Sequence, residues 1–130
     1  MEAVALPRDG SGNAVAGLKE MARSLKDGWA TGIALDGPHG PARVLRPGAL
    51  WLARLTGCPL VAIGAAATPA FRAPWWDRHL VPLPHSQIAL VYGEPILVKR
   101  GSDLDNDLCT RVSESLNGAE RQAWQIVTTA

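Results

Sequence analysis

Apolar residues recur from Val15 at three- and four-residue spacing: Val15, Leu18, Ala22 and Leu25, with Met21 beside them. Lys19, Glu20, Arg23 and Lys26 fill the other face. This is the pattern of an amphipathic helix, with Asn13 as its N-cap and Gly28 as its stop. Trp29–Leu35 is a short apolar run that predicts a buried strand. Pro47-Gly48 opens a second helix, with Pro in the first turn. Ala49–Leu55 is apolar apart from Arg54, and Gly57 and Pro59 end it. Leu60–Ile63 predicts a second strand continuing into Gly64–Ala67, and the run is continuous rather than alternating, as in a strand covered on both faces. Thr68–Ser86 holds Pro69, Pro74, Pro82 and Pro84 and reads as irregular. Gln87–Tyr92 predicts a third strand, ended by Gly93 and Pro95, with Ile96–Val98 continuing it after a bend. Leu104, Leu108, Val112 and Leu116 predict a C-terminal helix, capped by Ser102 or Asp103. Asn117-Gly118 should break it before a last short helix carrying Trp124.

Strands alternating with helices predict an α/β fold with a partial, mostly parallel sheet flanked by helices. Three strands make a thin sheet, and the first helix has no strand before it to complete a crossover unit. The 130 residues suit one domain, read as the C-terminal portion of a larger α/β domain whose N-terminal half is missing.

Composition narrows the classes. The chain is 47% hydrophobic and 19% charged, enough apolar residue to build a core. A formal net charge of +1 supplies no global field for nucleic acid or an anionic membrane. Cys58 and Cys109 make neither a disulfide framework nor a zinc signature, which points to a reducing, cytoplasmic setting. The longest uncharged span, Leu55–Phe71, is too short and too broken by Gly and Pro for a spanning helix.

Candidate chemistry concentrates in Asp36-Gly37-Pro38-His39-Gly40-Pro41, directly after Ile33-Ala34-Leu35. Two glycines and two prolines in six residues predict a tight, stiffened loop. It holds a carboxylate and an imidazole at a strand end, where open α/β sheets bind ligands. Arg43 and Arg46, with Arg8, suit bidentate contact with phosphate oxygens. His79 and His85 lie six residues apart without metal-ligand spacing, so no metal is expected. Trp75, Trp76 and Asp77 either line a groove or pack a long loop onto the core. Glu94 closes a turn.

These residues also carry a family resemblance. Asp36-Gly37-Pro38-x-Gly40-Pro41, then Arg43 and Pro47-Gly48, resembles a block of the lysophospholipid acyltransferase superfamily, nearest a bacterial branch catalogued as a domain of unknown function. Leu52-Ala53-x-x-Thr56-Gly57-x-Pro59-Leu60-Val61 is similar to its helix-to-strand segment. Trp76-Asp77-Arg78 with Pro82 and Pro84 is similar to its tryptophan–aspartate loop, and Val91-Tyr92-Gly93-Glu94-Pro95-Ile96 to its last strand and turn. The resemblance spans roughly residues 12–98, leaving 102–130 as a helical tail.

The resemblance implies transfer of an acyl group, from acyl-CoA or acyl-carrier protein as co-substrate, to a hydroxyl of a lysophospholipid, glycerol phosphate or glycolipid. It implies acceptor binding by Asp36, Gly37, His39, Arg43 and Arg46, with no resident cofactor. His39 stands where the nearest branch carries Arg. The family's catalytic His-Asp block has no counterpart before Gly12, so no catalytic residue is assigned. The implied setting is cytoplasmic or peripheral to the inner face of the cytoplasmic membrane, without nucleic acid. Two alternatives stay open: a non-catalytic fragment or interaction module, and a small phosphate-binding α/β protein. The latter has neither a P-loop nor a dinucleotide fingerprint. An incomplete sheet further predicts self-association through the exposed edge of Trp29–Leu35.

Overall fold

The computed structural model describes residues 14–35, 44–101 and 103–129. Its elements follow in the order α1 (Ala14–Lys26), α2 (Gly48–Thr56), β1 (Ile63–Arg72), β2 (Leu80–Tyr92) and α3 (Asn106–Thr129).

The sheet has two strands, β1 and β2, paired antiparallel from Ile63↔Tyr92 to Arg72↔Leu80. This corrects the expected mostly parallel sheet flanked by helices. A parallel pair needs a long crossover, whereas antiparallel neighbours close through a short connection. Here the chain from Thr68 to Ser86 is itself largely extended, so the two strands meet as one hairpin. Its prolines do not prevent this. In a two-stranded ribbon both strands are edges, where a missing N–H is tolerated. Pro69 sits where the register shifts between Thr68 and Ala70, and its bond to Thr68 is cis. The Ser86 hydroxyl donates to the carbonyls of Pro69 and Leu83, tying the two strands at that irregularity. Beyond the named strands, Leu60 and Ile96 exchange a pair of 2.8 Å backbone hydrogen bonds that prolong the ribbon.

Trp29–Ala34 has no regular secondary structure, which corrects the expected strand and with it the expected sheet edge. The apolar run is accounted for by packing on helices. Ile33 packs against Met21, Ala22 and Leu52, and Leu35 against the cluster around Leu50. Helix α1 stops where expected, with Gly28 at φ +90° and the Trp29 N–H donating to the Ser24 carbonyl. Helix α2 ends on Gly57 in the left-handed region, whose N–H donates to the Ala53 carbonyl. Such a stop favours glycine, which has no Cβ to clash.

Helix α3 runs 24 residues without a break at Asn117-Gly118. A helix-interior glycine costs about 1 kcal/mol relative to alanine. Burial of Ala119, Ala123 and Val127, all beyond that glycine, outweighs it. Its N-terminus is capped by Asp105, whose carboxylate accepts from the Leu108 N–H at 2.9 Å, rather than by Asp103, and Ser102 lies outside the described residues.

The core has three parts. The largest joins Leu50 and Ala53 of α2, Ile96 and Val98, and Leu108 and Val112 of α3. A second joins Ala66 and Ala89 of the hairpin to Ala123 and Val127 of α3. The third is the contact of α1 with α2 at Met21, Ala22 and Leu52. A side chain at Gly64 would collide with the α3 backbone at Ala119 and Glu120, so helix and strand touch backbone to backbone there. Helices α1 and α2 pack on each other and not on the hairpin.

Candidate functional site

Two cavities lie between β1, α3 and the segment ending at Leu35, and Ile33, Leu35, Ile63 and Leu116 line both. The smaller, about 210 Å³, is apolar and bounded by α1 and α2 through Leu25, Leu52 and Ala53. The larger is an open groove of about 770 Å³ that continues along the hairpin. Its polar side chains are Arg72, Asp77, Arg78 and His79 from the far end of the hairpin, and Ser113, Asn117 and Glu120 from α3. The two chain runs that a parallel sheet would have paired thus share these cavities instead of hydrogen bonds.

The hairpin connection builds the polar end. The Ala73 N–H donates to the His79 carbonyl and the Arg78 N–H to the Trp75 carbonyl, both at 3.0 Å. Arg78 takes a positive φ of 46°, a conformation uncommon outside glycine. The Arg72 guanidinium donates to the Arg78 carbonyl at 3.2 Å and lies 5.9 Å from the Trp124 ring centre, a cation–π contact. Asp77 accepts from the His79 Nδ1 at 3.1 Å and from the His79 backbone N–H at 3.4 Å. The His79 ring lies on Trp75, with centroids 4.7 Å apart. The side-chain hydrogen bond from His79 holds the Asp77 carboxyl below its ordinary range. An ionised Asp77 orients the imidazole and keeps the proton on Nδ1.

Several sequence-derived candidates lie elsewhere. Asp36, Gly37, His39 and Arg43 fall outside the described residues, as do Arg8 and Asn13. Leu35 and Val44, on either side of the Asp36–Arg43 block, both line the groove. Arg46 stands at the foot of the block, where its backbone N–H donates to the Leu35 carbonyl at 2.7 Å. Its side chain is exposed and does not line the groove. Trp75 and Trp76 are exposed. His85 sits on β2 at φ 66°. Among the described residues no three His, Cys, Asp or Glu side chains come together as a metal site. Both cysteines are free and half-buried.

Sequence reasoning missed the Asp77–His79 pair, because it set His79 beside His85. The available signal was Asp-x-His in a turn, where an aspartate accepts from the N–H two residues on. Among the described residues no helix is long and apolar enough to cross a membrane.

No protein-family model matches the chain, and no solved structure matches it. One curated relative is similar, an uncharacterised protein of Rickettsia prowazekii (strain Madrid E). It is 26% identical over 84 residues, which cover 65% of this chain and 38% of the relative. The chain therefore spans under two fifths of the length of the curated relative it matches.

Proposed function

We propose that this chain is an acceptor-binding part of an acyltransferase-family domain. Its ligand is then the hydroxyl-bearing acceptor, a lysophospholipid, glycerol phosphate or glycolipid, and its co-substrate acyl-CoA or acyl-carrier protein. The reading rests on the four ordered sequence blocks, not on the corrected sheet. One observation carries it: the residues that flank one block share a groove with residues of another. Leu35 and Val44 flank the acidic-glycine block, and Asp77 and Arg78 belong to the tryptophan–aspartate block. Two guanidinium groups, Arg72 and Arg78, suit an anionic acceptor. The oriented His79 ring suits its hydroxyl.

The test is titration of the full chain with glycerol 3-phosphate and with a lysophospholipid, followed by nuclear magnetic resonance. Saturable shifts of the His79 ring signals are expected, and Arg78→Ala should weaken binding about tenfold, the loss of one charge-assisted contact. Absence of saturable shifts with either ligand at millimolar concentration would sink the reading. The second reading, a non-catalytic interaction module, is favoured by the exposed apolar side chains of Ile88, Leu90 and Tyr92 on the hairpin.

A further inference from the structure

The turn that closes the hairpin stands in solvent, and every residue from Pro74 to His79 is exposed. Two of them are neighbouring tryptophans, Trp75 at 63% and Trp76 at 45%, and Phe71 near the end of β1 is 50% exposed. Tryptophan is on average a well-buried residue, so two indoles in solvent on one turn mark a contact surface. Neither of them lines the groove. The charges around them are mainly of one sign. Between Ile63 and Tyr92 the strong bases are Arg72 and Arg78, and the one acid is Asp77, whose carboxylate already accepts from the His79 Nδ1 at 3.1 Å. Both arginines are exposed.

We propose that this turn is a membrane-surface contact, in which Trp75 and Trp76 enter the headgroup layer of an anionic lipid surface and Arg72 and Arg78 meet its phosphates. Two observations select lipid. The first is residue type. An indole has an apolar body and a single N–H donor, and it rests where hydrocarbon gives way to water. Guanidinium groups set beside it bind phosphate oxygens while their stems lie along apolar surface. The second is charge complementarity. An excess of guanidinium over carboxylate is drawn to an anionic leaflet, whereas a second copy would bring a turn of the same sign. The turn is also built in advance of the contact. The Arg72 guanidinium donates to the Arg78 carbonyl at 3.2 Å and the Ala73 N–H to the His79 carbonyl at 3.0 Å, so less ordering is left to be done on binding. A contact at headgroup depth needs no spanning helix. It goes beyond the acceptor reading and stands without it.

Co-sedimentation of the full chain with vesicles of equimolar phosphatidylcholine and phosphatidylglycerol tests it. Binding is expected, and it should be weaker on phosphatidylcholine alone and in high salt. Trp75→Ser combined with Trp76→Ser should lower the partition about tenfold or more, with an unchanged far-ultraviolet circular dichroism spectrum. Trp29→Ser removes an indole as exposed as Trp75 but outside the hairpin, and should leave the partition unchanged. Glycerol 3-phosphate binding is read separately on the parent chain, so failure of the acceptor reading leaves this one standing. A parent chain that stays in the supernatant overturns the proposal. So does binding that is equal on both vesicles, indifferent to the double substitution, or lowered as much by Trp29→Ser. A supernatant chain that light scattering shows to be a dimer, broken by the double substitution, overturns it in favour of a second copy.

Discussion

The inner and outer faces of one hairpin obey opposite rules. On the inner face most side chains are small, Gly64, Ala66 and Ala89 beside Val91, and α3 comes down to backbone contact at Gly64. On the outer face they are large, two isoleucines, a leucine and a tyrosine, and they stand in solvent. A lone amphipathic ribbon would place its large apolar groups inside, where each buries the most area. The inversion is intelligible if close approach, not side-chain volume, holds the helix on the inner face. Exposed single apolar residues are ordinary on a protein surface. A contiguous row of them on regular strands marks an interaction surface.

The sharpest way to break this comparison is Gly64→Val. The added side chain meets the backbone of Ala119 and Glu120, which has no rotamer with which to yield. Stability should fall by about 3 kcal/mol, the upper end of ordinary overpacking, read from urea unfolding of the variant. A loss below about 0.5 kcal/mol, the range of surface substitutions, would show that the helix does not need that contact. Gly118→Ala makes the complementary point on α3. A Cβ there meets nothing within 4 Å, so the same measurement should show a gain of about 0.5–1 kcal/mol from helix propensity alone. A loss would mean that α3 is crowded along its length and not only at Gly64.

The smallest effect belongs to the solvent-facing end of the hairpin. The Asp77 carboxyl is held below its ordinary range chiefly by the side-chain hydrogen bond from His79. A depressed carboxylate binds fewer protons folded than unfolded. Its contribution to stability is therefore complete above the ordinary aspartate pKa of about 4 and is lost as pH falls through the lowered folded value. Carbon-detected titration should place the Asp77 midpoint below that of an ordinary aspartate. His79→Ala should return it toward the ordinary range. A midpoint that ignores the substitution would detach the carboxylate from the ring and remove the pair from the groove's chemistry.

Helix α1 and helix α2 with its Gly57 stop were legible because periodic spacing and capping residues are local signals, whereas α3 was legible as a helix but not in its cap. The continuous run was legible as a strand, but it begins at Ile63 and not at Leu60, and the expected cover on both faces is absent at Ile63 and Ala65, which are exposed. The strand's partner was not legible, since the prolines that mark Thr68–Ser86 as a loop in isolation are harmless in a ribbon made only of edges. The Asp36–Arg46 candidates were visible as chemistry-bearing residues, while the Asp77–His79 pair emerged only once the hairpin connection was folded. Trp29–Leu35 shows the limit of reading apolar runs. Burial against helices and burial within a sheet leave the same mark on a short sequence.

What the sequence by itself determined here is the course of α1 and α2 with their glycine stops, and which positions are apolar. Those properties depend on residues within one or two turns of each other. The tertiary structure alone decided that the strands pair with each other as a hairpin, that α3 survives Gly118, and that α3 packs on one face of the hairpin while Ile88, Leu90 and Tyr92 stay exposed on the other. Each of those outcomes is a competition between distant surfaces for burial. Backbone hydrogen bonding permits parallel and antiparallel pairing alike, so the balance is struck by which faces can approach closely, as β1 and α3 do at Gly64.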